Sequence, residues 1–206
     1  MQEKIIIIVV LAYLIGNIQG SYILGKLFYK KDIRKYGSSN AGTTNALRVF
    51  GKKFAIATLL IDLLKGVLAV ILGRMLLGDI GANMGGFFVI IGHIWPVVMG
   101  FKGGKGVATS IGVGLSLTPL TAIISLFIGI AILIKTKYVS LGAIVSVVIW
   151  PFLNIYFYLN TRGKTLIIVS FLITIIVILK HRDNITRLIE GKENKVNKKI
   201  DIDKND

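Results

Sequence analysis

The stretch GFKGGKGVAT, residues 100–109, has the make-up of an anion site. Gly103, Gly104 and Gly106 leave backbone N–H groups uncovered by side chains, and Lys102 and Lys105 add positive charge. A helix beginning near Val107 aims the positive end of its dipole at the same loop. The expected ligand is a phosphate group. The pattern differs from a nucleotide-hydrolysing P-loop, because Gly106 stands where Ser or Thr should follow the lysine and Met99 where the first glycine should be. A flexible turn between membrane spans with two interfacial lysines would read much the same, so the loop gains meaning only beside other motifs.

Two further segments supply them. KYGSSNAGTTNALRVFG, residues 35–51, is dense in small hydrogen-bonding side chains, among them Ser38, Asn40, Thr44 and Asn45, and ends near Arg48, whose planar fork suits phosphate or carboxylate oxygens. Taken singly, Ser39 or Thr43 reads as a turn residue or helix cap; the cluster with Arg48 reads as a site. In KHRDNITRLIEGKEN, residues 180–194, His181 and Asn184 are separated by one helical turn, and Arg187 follows at the next. His181 reads either as a general base, as a hydrogen-bond donor to an anion, or as an ordinary interfacial histidine. His93, beside Trp95 and Pro96, reads as a helix-end or packing residue.

The elements that must position these motifs lie in a membrane. The chain has 206 residues, of which 54% are hydrophobic, and its mean hydropathy of +0.75 leaves no room for a large soluble domain. Cysteine is absent, which excludes disulfides, thiolate catalysis and Cys-ligated metals, and two histidines leave little for a metal cluster. The net charge of +15 gathers in loops, where Lys and Arg mark the cytoplasmic side. No nucleic-acid role is indicated.

Apolar runs predict spans at about 5–25, 54–77 and 80–99. The loop after the first run holds Lys26, Lys30, Lys31, Arg34, Lys35, Arg48, Lys52 and Lys53 against Asp32 alone, so it should be cytoplasmic, and two further crossings bring the glycine loop to the same side. The run Val107–Ile134 as one helix would be about 42 Å long, against a hydrocarbon core of about 30 Å. Proline at 119 divides it into a short helix over 107–117 and a second over 119–135. Spans at 139–159 and about 165–180 complete seven, with the N-terminus outside and the basic C-terminus cytoplasmic. Residues 1–190 form one domain in this reading, and the polar stretch 191–206 a mobile tail. Asp62 and Lys65, one turn apart inside the second span, read as a structural ion pair or as a brace for the cytoplasmic site, with Lys65 a candidate for direct ligand contact.

Together, GSSNAGTTNALR, GHIWPVVMGFKGGKGVAT and HRDNITRL resemble, in order, spacing and sidedness, the bacterial acyl-phosphate:glycerol-3-phosphate acyltransferase family, and DLLKG (62–66) and SLGA (140–143) look like further family segments. The resemblance implies a seven-span fold in the bacterial cytoplasmic membrane, with acyl phosphate and glycerol 3-phosphate as substrates and lysophosphatidate as product. It implies that Ser38 and Arg48 are the essential pair of the first motif, that Gly103, Gly104 and Gly106 shape the glycerol phosphate site, and that His181 and Asn184 serve the third motif. Glu193 takes a structural role. An enzyme that produces the acyl phosphate is the partner such chemistry calls for. Two positions depart from the family's common pattern, Ser39 standing for a glycine and Thr43 for an alanine.

An acyl phosphate is a mixed anhydride with a good leaving group, so no metal, cofactor or covalent enzyme intermediate is expected. The site's work is positioning and charge stabilisation. The proton of the attacking hydroxyl goes either to His181 or to a substrate phosphate oxygen. The HxxxxD box by which acyl-CoA-dependent glycerolipid acyltransferases resemble one another is absent, since Val98 and Thr186 occupy the acidic position after the two histidines. A small anion transporter is the competing class, but it would place ionisable residues on several spans, and only Asp62 and Lys65 are available.

Overall fold

The computed structural model describes residues 1–161 and 163–196, and these are entirely helical apart from turns. Four helices are long and apolar enough to cross a bilayer, or five if the first two, bent by 41° at a short break, count as one span. The fold is that of an all-α, multi-pass membrane protein.

Helix α1 (Gln2–Gly16) and α2 (Gly20–Tyr29) replace the continuous first span expected over 5–25. Polar side chains make the break. Lys65 directs its ammonium at the carbonyls of Gly16 and Ile18, Asn17 donates to the Tyr13 carbonyl at 2.6 Å, and Gln19 donates to the His93 carbonyl at 2.8 Å. Carbonyls that would continue the helix are satisfied from outside it, and a cation sits at the negative end of its dipole. The short α3 (Thr43–Val49) then leads into α4.

Helix α4 (Lys52–Ile94) is 43 residues long, about 65 Å at the helical rise and roughly twice one crossing. It is broken at Leu77 and Gly78, where Gly78 takes φ +59. Its two halves run back along each other: a Cβ on Gly73 would collide with the Gly81 backbone, and one on Gly85 with that of Ala69. Small residues let helix backbones meet where no hydrophobic force from water drives them together. The same device joins α1 to α4 at Gly16 and Gly92.

Helix α5 (Val107–Leu117) ends at Thr118, whose φ and ψ of −144 and 72 leave the helical region, and Pro119 opens α6 (Pro119–Thr136). Proline at the first position of a helix lacks only an N–H that would have no partner there. Helices α7 (Val139–Tyr158) and α8 (Gly163–Lys180) follow, with α6 and α7 in backbone contact at Gly129 and Gly142. The main core, containing Val89, Ile90, Ile94, Val113, Ile173 and Val177, lies where α4, α5 and α8 meet.

The short α9 (Arg182–Ile189) caps one end, and residues 191–196, expected to belong to a mobile tail, are held against the fold. Glu193 is buried against α7 and α9, the Asn194 carbonyl accepts from Arg48, and the Val196 N–H donates to the Lys137 carbonyl at 2.9 Å. A stretch of polar sequence is held because its backbone and carboxylate meet partners supplied by distant loops. Residues 197–206 lie outside the described residues.

Candidate active site

The three motifs meet at one end of the bundle around a cavity of about 270 Å³. Ser38, Asn40, Thr44, Asn45 and Arg48 line one side, Lys105 and Gly106 a second, and His181, Asn184 and Glu193 a third.

In the first motif the loop 36–42 is held by Asn45. Its Oδ1 accepts the Ser38 N–H at 3.0 Å, and its Nδ2 donates to the carbonyls of Tyr36 at 3.0 Å and Ile33 at 3.3 Å. Asn45, expected to bind substrate, lines the cavity, and both ends of its amide are engaged in holding the loop that carries Ser38. Gly37 and Ser39 both take positive φ, +65 and +55. Only Gly adopts that region at no steric cost, so the serine at 39 carries strain that the glycine common in the resembling family would not. Arg48 is 9% exposed, and donates weakly to the Asn194 carbonyl at 3.3 Å. Its Nε and the Thr43 hydroxyl are buried with no hydrogen-bond partner among the described residues. Burial, and then the Arg187 charge working against the offsetting Glu193, holds the Arg48 guanidinium below its ordinary pKa.

The glycine loop works differently from its sequence expectation. The N–H groups of Gly103 and Gly104 do not face a ligand; they donate to the carbonyls of Ile94 and His93, both at 3.2 Å, and so cap the end of α4. There is no room for a side chain at either position, because a Cβ on Gly103 would meet the His93 carbonyl and one on Gly104 the His93 ring. Gly106, at φ +88, turns the chain into α5, so that Gly106, Val107 and Ala108 bring the start of that helix to the cavity wall. The N–H groups of that first turn have no partner within the helix. Lys105 bonds Asn184 Oδ1, and burial, reinforced by Arg187, lowers its pKa to about 8. Lys102, expected to bind substrate, is exposed and does not line the cavity.

In the third motif, His181 is 3% exposed and its Nδ1 lies 2.8 Å from the Val177 carbonyl, so the ring proton resides on Nδ1 and Nε2 is an acceptor. Burial pushes its pKa down to about 4, with Lys105 adding to the effect. Glu193 accepts from Ser140 Oγ at 3.1 Å and Asn184 Nδ2 at 2.8 Å, and pairs with Arg187 Nε at 2.9 Å. It thereby ties α7, α9 and the C-terminal stretch together.

Lys65 is a brace and not a wall of the cavity. Its ammonium lies 2.8 Å from Asp62 Oδ1 and 2.7 Å from His93 Nδ1, besides the carbonyls of Gly16 and Ile18, which leaves no donor for a ligand. His93 does close α4, as its neighbours suggested, but it is also buried between this ion pair and Gly104 and reaches the cavity wall. Sequence reasoning passed over it, along with Thr43, Ser140 and Arg187 as site residues. The signal available was the closeness of His93 to the glycine loop.

A cationic cavity beside an apolar cleft between α5, α6 and α7, in a multi-pass helical membrane protein, defines the class. More particularly, residues 6–191 match the sequence profile of glycerol-3-phosphate acyltransferase, and the chain belongs to that family. A Thermoanaerobacter pseudethanolicus protein named glycerol-3-phosphate acyltransferase is 47% identical over 193 residues, covering 94% of this chain and 96% of that protein. A Clostridioides difficile protein of the same name is 43% identical over 200 residues, covering 94% and 96%. The crystal structure of PlsY, an integral membrane glycerol 3-phosphate acyltransferase, in its glycerol 3-phosphate form matches with a TM-score of 0.86 at 32% identity, over 93% of this chain and 94% of that one. Its lysophosphatidic acid form gives 0.84.

Proposed function

We propose that this protein moves a fatty acyl group from acyl phosphate to the sn-1 hydroxyl of glycerol 3-phosphate, releasing lysophosphatidate and inorganic phosphate, the first acylation of phospholipid synthesis. The observation that carries this reading is the single cavity in which Arg48, Lys105 and the start of α5 face Ser38, His181 and Asn184. Two phosphate-bearing substrates need at least this much positive charge, and a family relationship at high coverage supports the reaction class.

In the proposed step the glycerol hydroxyl oxygen attacks the acyl carbonyl carbon, and the carbon–oxygen bond to phosphate breaks with its electron pair leaving on the phosphate. Arg48, with its unpartnered Nε, and Lys105 hold phosphate oxygens; Ser38, Asn40 and Thr44 at the rim donate to substrate oxygens. With a pKa near 4, His181 accepts a hydrogen bond from the attacking hydroxyl through Nε2 but does not hold its proton at neutral pH. The proton therefore ends on the departing phosphate. Asn184 fixes the Lys105 ammonium, and Glu193 fixes Asn184.

Counting the bent α1–α2 pair, both halves of α4, and α5 to α8, the chain crosses the bacterial cytoplasmic membrane seven times in this reading, with the N-terminus outside and the cavity and C-terminus on the cytoplasmic face. The basic loops at 26–53 and 180–192 support that orientation. An enzyme that makes the acyl phosphate is the upstream partner.

The test is a metal-free assay in detergent with radiolabelled glycerol 3-phosphate and either palmitoyl phosphate or palmitoyl-CoA, for wild type, Ser38→Ala and His181→Ala. Lysophosphatidate from the acyl phosphate only, and lost in the Ser38→Ala variant, is the expected result. No product from either donor, with glycerol 3-phosphate or phosphate accumulating in proteoliposomes, would replace the acyltransferase reading with transport.

A further inference from the structure

The structure points to a measuring groove for the acyl chain, whose far end is marked by the indole of Trp150. The inference rests on the acyl-phosphate reading above and adds to it the group that sets chain length. Beside the polar cavity lies a second, smaller one of about 40 Å³, and Val107, Ile111, Leu126, Ala143 and Ser146 line both. The shared walls make the two one path in this proposal, with Ala143 between them. From Ser140, which sits among the polar groups, α7 rises about 15 Å to Trp150, roughly the length of a dozen extended carbons.

The end wall is fixed. Trp150 is 4% exposed, and its Nε1 donates to Thr118 Oγ1 at 2.9 Å. Thr118 is the residue at which α5 stops and Pro119 starts α6, so the ring is anchored to the break that shortens α5. One turn further along α7, Asn154 accepts from Thr121 Oγ1 at 2.5 Å and locks α7 to α6 below the ring. On the opposite side stands Gly114, where a Cβ would lie 3.5 Å from the indole, at ordinary van der Waals contact. A chain reaching this point meets a rigid aromatic edge instead of a yielding aliphatic one.

Each carbon buried short of the wall adds binding, and each one beyond it must bend aside. In wild type, kcat/KM for acyl phosphates should climb with chain length to about a dozen carbons and then level off or fall. Trp150→Ala removes the wall, and Ala143→Phe fills the path between the two cavities.

The experiment measures kcat/KM for the purified variants with a donor series from octanoyl to stearoyl phosphate at saturating glycerol 3-phosphate. Trp150→Ala should raise the stearoyl-to-lauroyl ratio by about tenfold, and Ala143→Phe should shift preference towards octanoyl by a similar factor. Active variants that both retain the wild-type length profile would overturn the gauge and leave the acyltransferase reading standing. If Trp150→Ala proves misfolded by thermal melting, Ala143→Phe decides alone on the same criterion. A wild type that transfers from no acyl phosphate removes the reading and the gauge together.

Discussion

Lys65 and Lys105 are both drawn into the protein, yet their surroundings divide the molecule into a braced region and a binding region. Around Lys65 stand a carboxylate, an imidazole nitrogen and two helix-end carbonyls, so its charge is balanced from within the fold. Around Lys105 stand Asn184, two guanidiniums and the partly offsetting Glu193 and Asp183. The first lysine joins α1 to α4. The second, with Arg48, remains short of negative charge, which an incoming phosphate supplies in the proposed reaction. A buried cation whose partners are all protein holds structure; one left with spare donors beside a cavity is set for a ligand.

The sharpest way to break this contrast is to remove each ammonium without changing much volume. Lys65→Met strands Asp62 in the interior and should lower stability by about 3–5 kcal/mol, read as a fall in melting temperature and yield. Adding Asp62→Asn to the same chain should restore much of the loss. Lys105→Met removes an ammonium that burial disfavours, so it should leave melting unchanged or raise it, and it should lower kcat/KM by roughly 10²–10³ fold, the scale of one lost charge-stabilising donor. A variant of Lys105 that melts early while turning over normally would reverse the assignment.

A pH titration sharpens it further. Lys105, with a pKa of about 8, loses its charge as pH rises through that value, so kcat/KM for the anionic substrates should fall by up to about tenfold per unit above it. The groups facing it are Asn184, Arg187, Glu193, Asp183, Arg48 and His181. Stability moves the other way. Between about 8 and the ordinary 10.5, the unfolded chain binds more protons at this site than the folded one, so Lys105 favours the folded state as pH rises. Activity falling while melting holds separates loss of the binding charge from alkaline unfolding, and Lys105→Arg should abolish the alkaline limb. The smallest effect expected is at Ser39, where Ser39→Gly should relieve the positive φ and gain up to about 1 kcal/mol, measured by thermal melting.

Much of this was legible in the chain. Proline at 119, within an apolar run too long for one helix, marked the break that the structure places at Thr118, and the three polar segments announced themselves by residue type. The glycine loop was legible as a place of close approach but not as to what approached. Gly103 and Gly104 face His93 and their N–H groups serve α4, so in the proposed reading the anion-facing donors come one turn later, at the start of α5. Lys65 gave the same difficulty in reverse. A lysine beside an aspartate in an apolar segment looks alike whether its remaining donors meet a ligand or a neighbouring helix.

The sequence by itself determined the membrane class, the apolar lengths, the helix break and the cationic character of the polar loops, because hydropathy, proline geometry and charge act locally along the chain. Only the tertiary structure decided which donors are left over. Arg48 meets the Asn194 carbonyl across a separation of 146 residues, Glu193 gathers Ser140, Asn184 and Arg187 from two helices, and Trp150 is held by Thr118. Whether a polar group braces or binds depends on which backbone returns to it, and that is fixed by packing between helices and not by the order of residues.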